Sequence, residues 1–146
     1  MESLVCLAPP CVGGAFTTLD LVRVAVACML AILFLQSGID KVVDRAGNVK
    51  WLTGHFSKSF LASQVVPMLS VLTVVELAAG AASAFGAAML LINGSRVPAA
   101  LGAVLAVAAF LMLFFGQRVA KDYAGAAALV PYFVLALGGL GLMGLP

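Results

Sequence analysis

The stretch Val65 to Ile92, VVPMLSVLTVVELAAGAASAFGAAMLLI, most constrains what this chain can fold into. It is apolar at every turn and carries a single ionisable group, Glu76. About 20 apolar residues cross a hydrocarbon core of about 30 Å. Counted from Pro67 at about 1.5 Å per residue, Glu76 lies roughly 14 Å in, near the midplane. A carboxyl group there is costly unless it is protonated, paired or hydrated. Two readings follow. Glu76 is a structural carboxyl that locks helices together, or it handles a proton, an ion, a quinone or a lipid headgroup.

The rest of the chain is of the same kind. Its 146 residues are 64% hydrophobic and 10% charged, with a mean hydropathy of +1.18. A soluble domain carries about 25% charged residues. The chain therefore reads as an integral membrane protein in a lipid bilayer. The fold expected is an all-α, four-helix transmembrane bundle with a short interfacial helix in the first loop. The length leaves no room for a second domain. A net charge of +2 is too small to point to nucleic acid. Cys6, Cys11 and Cys28 match neither CxxC nor a zinc spacing, so no metal site is expected. Cys6 and Cys11 would bridge only in an oxidising compartment, and two free thiols are the simpler reading. Cys28 falls in an apolar run and reads as a small packing residue.

Residues 1–18 contain Pro9, Pro10, Gly13 and Gly14 and read as a flexible tail, with the four-helix domain over 19–146. The tail has no Lys or Arg, so it does not read as a signal peptide. Thr18 or Asp20 can cap a first span from Leu19 to Ile39. Arg23 sits one turn inside, where its stem can snorkel to the near surface. Gln36 and Ser37 make the far end polar.

Asp40 to Gln64 is the longest polar segment. Within it Trp51, Leu52, His55, Phe56, Ser59 and Phe60 share one face at helical spacing, opposite Lys50, Thr53, Ser57 and Lys58. That pattern predicts a helix over Asn48 to Ala62 lying in the membrane interface. His55 is the only histidine and reads as interfacial packing there. After the second span, Asn93-Gly94-Ser95 makes a turn, and the third span runs from Arg96 and Pro98 to about Phe115. The turn GQRVAKDYAG leads to a fourth span from Ala126 to Leu145, with Pro131 inside it. Small residues at Gly80, Ala84 and Ala87, and at Gly138, Gly139, Gly141 and Gly144, suit close helix packing.

Counted from Ala124, Tyr132 lies about 12 Å deep, level with Glu76. Arg23 and Arg118 start about 10 to 15 Å away from Glu76, so a direct pair with either needs tilt. Low dielectric disfavours a charged carboxylate, so the expectation is a protonated Glu76 sharing a hydrogen bond with Tyr132 or with a ligand. Above them one membrane face gathers Asp40, Lys41, Asp44, Arg45, Arg118, Lys121, Asp122 and Tyr123. A basic rim over a buried acid and a phenol suits a polar headgroup, such as a quinone ring or a lipid phosphate. Rim charges also simply populate the headgroup region. The candidate binding residues are thus Glu76, Tyr132, Gln36, Lys41, Arg118, Asp122 and Arg23. No nucleophile–base pair or Gly-rich phosphate loop identifies a catalytic residue. The two long loops hold Lys41, Arg45, Lys50, Lys58, Arg118 and Lys121 against Arg23 and Arg96 on the other side. The bias predicts cytoplasmic loops and non-cytoplasmic termini.

Arg23, FLQSGIDK from Phe34 to Lys41, ELAAGAASAFG from Glu76 to Gly86, and Arg96 occur in an order and spacing that resembles the DoxX-like family of small bacterial membrane proteins. WLTGHFSKSF and QRVAKDYAG look like a subgroup of that family. The resemblance runs from Arg23 to Leu142 and implies a multi-pass, four-helix bundle of the bacterial inner membrane. It also implies a link to quinol oxidase and thiosulfate–quinone chemistry, with quinone as the candidate cofactor. The helix-end cysteine pair of related redox bundles is absent here. Three functions are in play. The chain is an accessory or quinone-associated subunit partnering larger membrane oxidoreductase subunits, a small proton-linked transporter using Glu76, or a membrane enzyme acting on a lipid or quinone headgroup.

Overall fold

The computed structural model describes residues 16–145, and the helices follow the apolar runs. They are α1 (Thr18–Val43), α2 (Arg45–His55), α3 (Val65–Asn93), α4 (Val97–Val119) and α5 (Tyr123–Gly144), with a 3₁₀ turn at Ala62–Gln64 before α3. α1, α3 together with its 3₁₀ turn, α4 and α5, of 26, 32, 23 and 22 residues, are long and apolar enough to cross a membrane. The chain is an all-α, four-helix, multi-pass membrane protein, and large apolar side chains such as Ile32, Val74 and Leu101 face outward. Cys6 and Cys11, the rest of the tail to residue 15, and Pro146 lie outside the described residues.

Helix ends differ from the sequence expectation where side chains set them. Thr17, rather than Thr18 or Asp20, is the cap of α1. Its hydroxyl accepts from the Asp20 N–H, and the Asp20 carboxylate accepts from the Thr17 N–H, forming a reciprocal capping box. α1 also runs past Ile39 to Val43. α2 begins at Arg45 because Asp44 caps it, accepting from the Gly47 N–H at 3.1 Å. It stops at His55, seven residues short of the expected end. Beyond it Ser59 Oγ donates to the Phe56 carbonyl and accepts from the Leu61 N–H, which favours turns. Phe56 therefore turns inward and is 3% exposed, whereas Trp51 and Phe60 remain outside. Gly94, at φ 70°, ends α3 in the left-handed conformation that suits glycine.

The α1–α3–α4 side of the bundle is held by close backbone approach. A Cβ added to Gly80 would lie 2.7 Å from the Leu35 backbone nitrogen, and one added to Gly86 would collide with the Ala99 backbone. Only glycine permits these contacts, which bring apolar atoms and backbones to van der Waals distance without any hydrophobic drive from lipid. Phe34 and Phe110, with ring centroids 4.9 Å apart, fill the centre among Leu30, Ala79, Ala103, Ala106 and Ala136. Among the four glycines toward the end of α5 only Gly139 meets a neighbour, Val26, while Gly138, Gly141 and Gly144 face open space. The expected glycine seam in that helix is one residue wide.

The contacts of Gly38 with Leu77 and of Gly80 with Leu35 fix the antiparallel register of α1 and α3. Continued by one residue, that register places Glu76 level with Ile39, about 6 Å from the end of α1 by helical rise. The first two turns of α3 extend beyond α1 and lie beside α2, where Arg45 Nη2 donates to Ser70 Oγ at 2.6 Å. Depth measured from the start of α3 alone thus overstates the distance of Glu76 from charged residues on α1.

Candidate functional site: a buried ion pair beside an amphipathic groove

Glu76 is fully buried, and its partner is Lys41. Lys41 Nζ lies 2.8 Å from Glu76 Oε2, with side-chain exposures of 16% and 1%. The same ammonium donates to Ser37 Oγ at 2.7 Å and to the Ser37 carbonyl at 3.3 Å. Ser37 Oγ in turn donates to Glu76 Oε2 at 3.2 Å. A helical side chain leans toward the N-terminus of its own helix, so Lys41 reaches one turn deeper to Ser37. Its four-carbon stem runs along the bundle wall while the ammonium meets the acid. The second carboxylate oxygen, Oε1, is buried and has no hydrogen-bond partner among the described residues.

This arrangement replaces the expected Glu76–Tyr132 bond. The contact of Val26 with Gly139 sets the register of α1 and α5. Continued along both helices, it places Tyr132 level with Leu33, about 9 Å deeper than Glu76. The tyrosine is 41% exposed and stacks on Phe110, with centroids 6.2 Å apart. Lys41, grouped with the rim by sequence, reaches below it and stands beside Glu76 in the place given to Tyr132.

Tyr132 belongs instead to a groove of about 660 Å³ on the outer side of α1. Gln36, Ser37, Asp40 and Tyr132 line it together with the apolar Ala25, Met29, Ile32 and Leu33. Cys28 is exposed and lines it too, so this cysteine is not packed inside the bundle. Along α1 the polar residues cluster toward the loop end and the apolar ones lead away from it. Ser37 is common to the groove and to the ion pair.

The other sequence candidates lie elsewhere. Arg23 does not snorkel; it is 1% exposed. Its Nε donates to the Leu142 carbonyl at 2.9 Å, Nη1 to Asp20 Oδ1 at 2.8 Å and Nη2 to the Leu145 carbonyl at 2.7 Å. Arg96 also donates to the Leu145 carbonyl. Two cations thus hold carbonyls at the C-terminal end of α5, where the helix leaves acceptors without partners. Arg118 lies over the Tyr123 ring, 4.7 Å from its centroid, and Asp122 caps α5 by accepting from the Gly125 N–H at 2.8 Å. These rim residues serve local structure and do not converge on Glu76. His55 stacks on Trp51 at 4.6 Å and pairs with Gln117 Oε1 at 2.9 Å. No group of three or more metal-ligating side chains occurs among the described residues.

No family model, curated protein or solved structure matches this chain.

Proposed function

We propose that this chain is a DoxX-like protein of the bacterial inner membrane, acting as a quinone-associated accessory subunit of a membrane oxidoreductase system. The observation that carries this reading is the groove beside Ser37. It is polar at the loop end, apolar along its length, and of a volume that suits one small amphipathic molecule. A quinone headgroup would sit among Gln36, Ser37, Asp40 and Tyr132, with its tail along Ile32, Met29 and Ala25. The buried pair behind Ser37 holds that residue in place. The basic residues of the two long loops support cytoplasmic loops and non-cytoplasmic termini.

Purification in native lipid, followed by solvent extraction, tests the assignment. Quinone retained at near-stoichiometric amounts, together with larger oxidoreductase subunits, is the expected result. Lipid alone and no partner would overturn it. The orphaned Oε1 of Glu76 favours a second reading, a proton-linked carrier, because an unpaired buried oxygen is where a proton can reside. Proton flux in proteoliposomes of the isolated chain, abolished by Glu76→Gln, would select that reading instead.

A further inference from the structure

We infer that the groove prefers the reduced, hydroxyl-bearing form of its ring headgroup over the oxidised, carbonyl form. The inference rests on the quinone reading and adds a direction to it.

A serine hydroxyl has one proton to donate and two lone pairs. Ser37 donates its proton to Glu76 Oε2, and one lone pair accepts from Lys41 Nζ. One lone pair is left, so any further hydrogen bond to this oxygen must be an accepted one. Lys41 has three N–H donors, directed to Ser37 Oγ, the Ser37 carbonyl and Glu76 Oε2. None is left for a ligand. Asp40, exposed at the same end of the groove, has no proton to donate when ionised and can then only accept. Gln36 and Tyr132 offer both donor and acceptor.

The polar end of the groove is therefore acceptor-rich. A hydroquinone O–H can donate to Ser37 or Asp40. A quinone carbonyl brings a lone pair toward a lone pair at both positions, and finds donors only on Gln36 and Tyr132. One hydrogen bond made in one form and opposed in the other corresponds to about a tenfold difference in affinity.

The test uses the full chain in lipid nanodiscs, titrated calorimetrically under anaerobic conditions with a short-chain benzoquinone and with its hydroquinone. The expected ratio of Kd, oxidised over reduced, is about ten. Ser37→Ala and Asp40→Asn should each bring the ratio toward one. Asp40 is exposed, so its variant keeps the test decisive if Ser37→Ala does not fold. Equal affinity for the two forms, or tighter binding of the quinone, overturns the inference while leaving the quinone reading in place. A ratio that survives in both variants also overturns it. Binding of neither form overturns the inference and the quinone reading together.

Discussion

The two ends of the bundle each bury a charge, and they treat it differently. At the end where α1 starts and α5 finishes, all three nitrogens of Arg23 have partners, namely Asp20 and the carbonyls of Leu142 and Leu145. At the loop end, Glu76 has two partners on one oxygen and, among the described residues, none on the other. Arg23 ties two helix ends together. Glu76 is paired just enough to be held, and Ser37, which holds it, opens onto a groove. A buried charge with every bond made is a lock. A buried charge with a spare acceptor beside a cavity is a candidate site.

The largest expected effect tests the lock. Arg23→Met takes the guanidinium from the Leu142 and Leu145 carbonyls and from Asp20, which keeps its bonds to Thr17, and removing one partner of a buried charged cluster costs about 3–5 kcal/mol. Thermal unfolding in detergent micelles should register the loss, and an unchanged midpoint would remove the distinction between the two ends. Lys41→Met should come next, at about 2–3 kcal/mol, because it leaves the Glu76 carboxylate with Ser37 alone. Glu76→Gln should cost less, about 1 kcal/mol, since a released Lys41 is partly exposed and can extend toward water. The same melting assay checks this order, and a costlier Glu76→Gln would place the controlling charge on the acid. The smallest effect belongs to a further polar contact of the loop end. His55→Ala removes the bond to Gln117 and a stack on an exposed tryptophan, at about 1 kcal/mol or less.

The helices were legible in the sequence because bilayer-length apolar runs admit little else. Glu76 stood out for the same reason, as the single ionisable residue in its run. Its partner did not. Lys41 sits at the polar end of α1 and reads as a rim charge, and only the Ser37-x-x-x-Lys41 spacing hints that its ammonium turns inward. Register between helices is set by side-chain contacts such as Gly80 with Leu35, which no single helix's sequence contains. Depth counted separately along α3 and α5 therefore made Tyr132 seem level with Glu76. The direction of Cys28 was hidden for a related reason. In a membrane both faces of a helix are apolar, so periodicity does not tell the packed face from the lipid face. The shortened α2 reflects local chemistry, since Asp44 and Ser59 bond the backbone in ways that override the aromatic spacing.

The pairing of Lys41 with Glu76 underlies the contrast between the two ends, and a double-mutant cycle measures it directly. The stabilities of Lys41→Met, Glu76→Gln and the combined variant are compared with that of the unaltered chain in the same micelles. Residues in direct contact show coupling of about 0.5–3 kcal/mol. The double variant should therefore be more stable than the two single losses predict when added, by about 1 kcal/mol or more. Strict additivity would contradict the ion pair and return Glu76 to a solitary carboxyl.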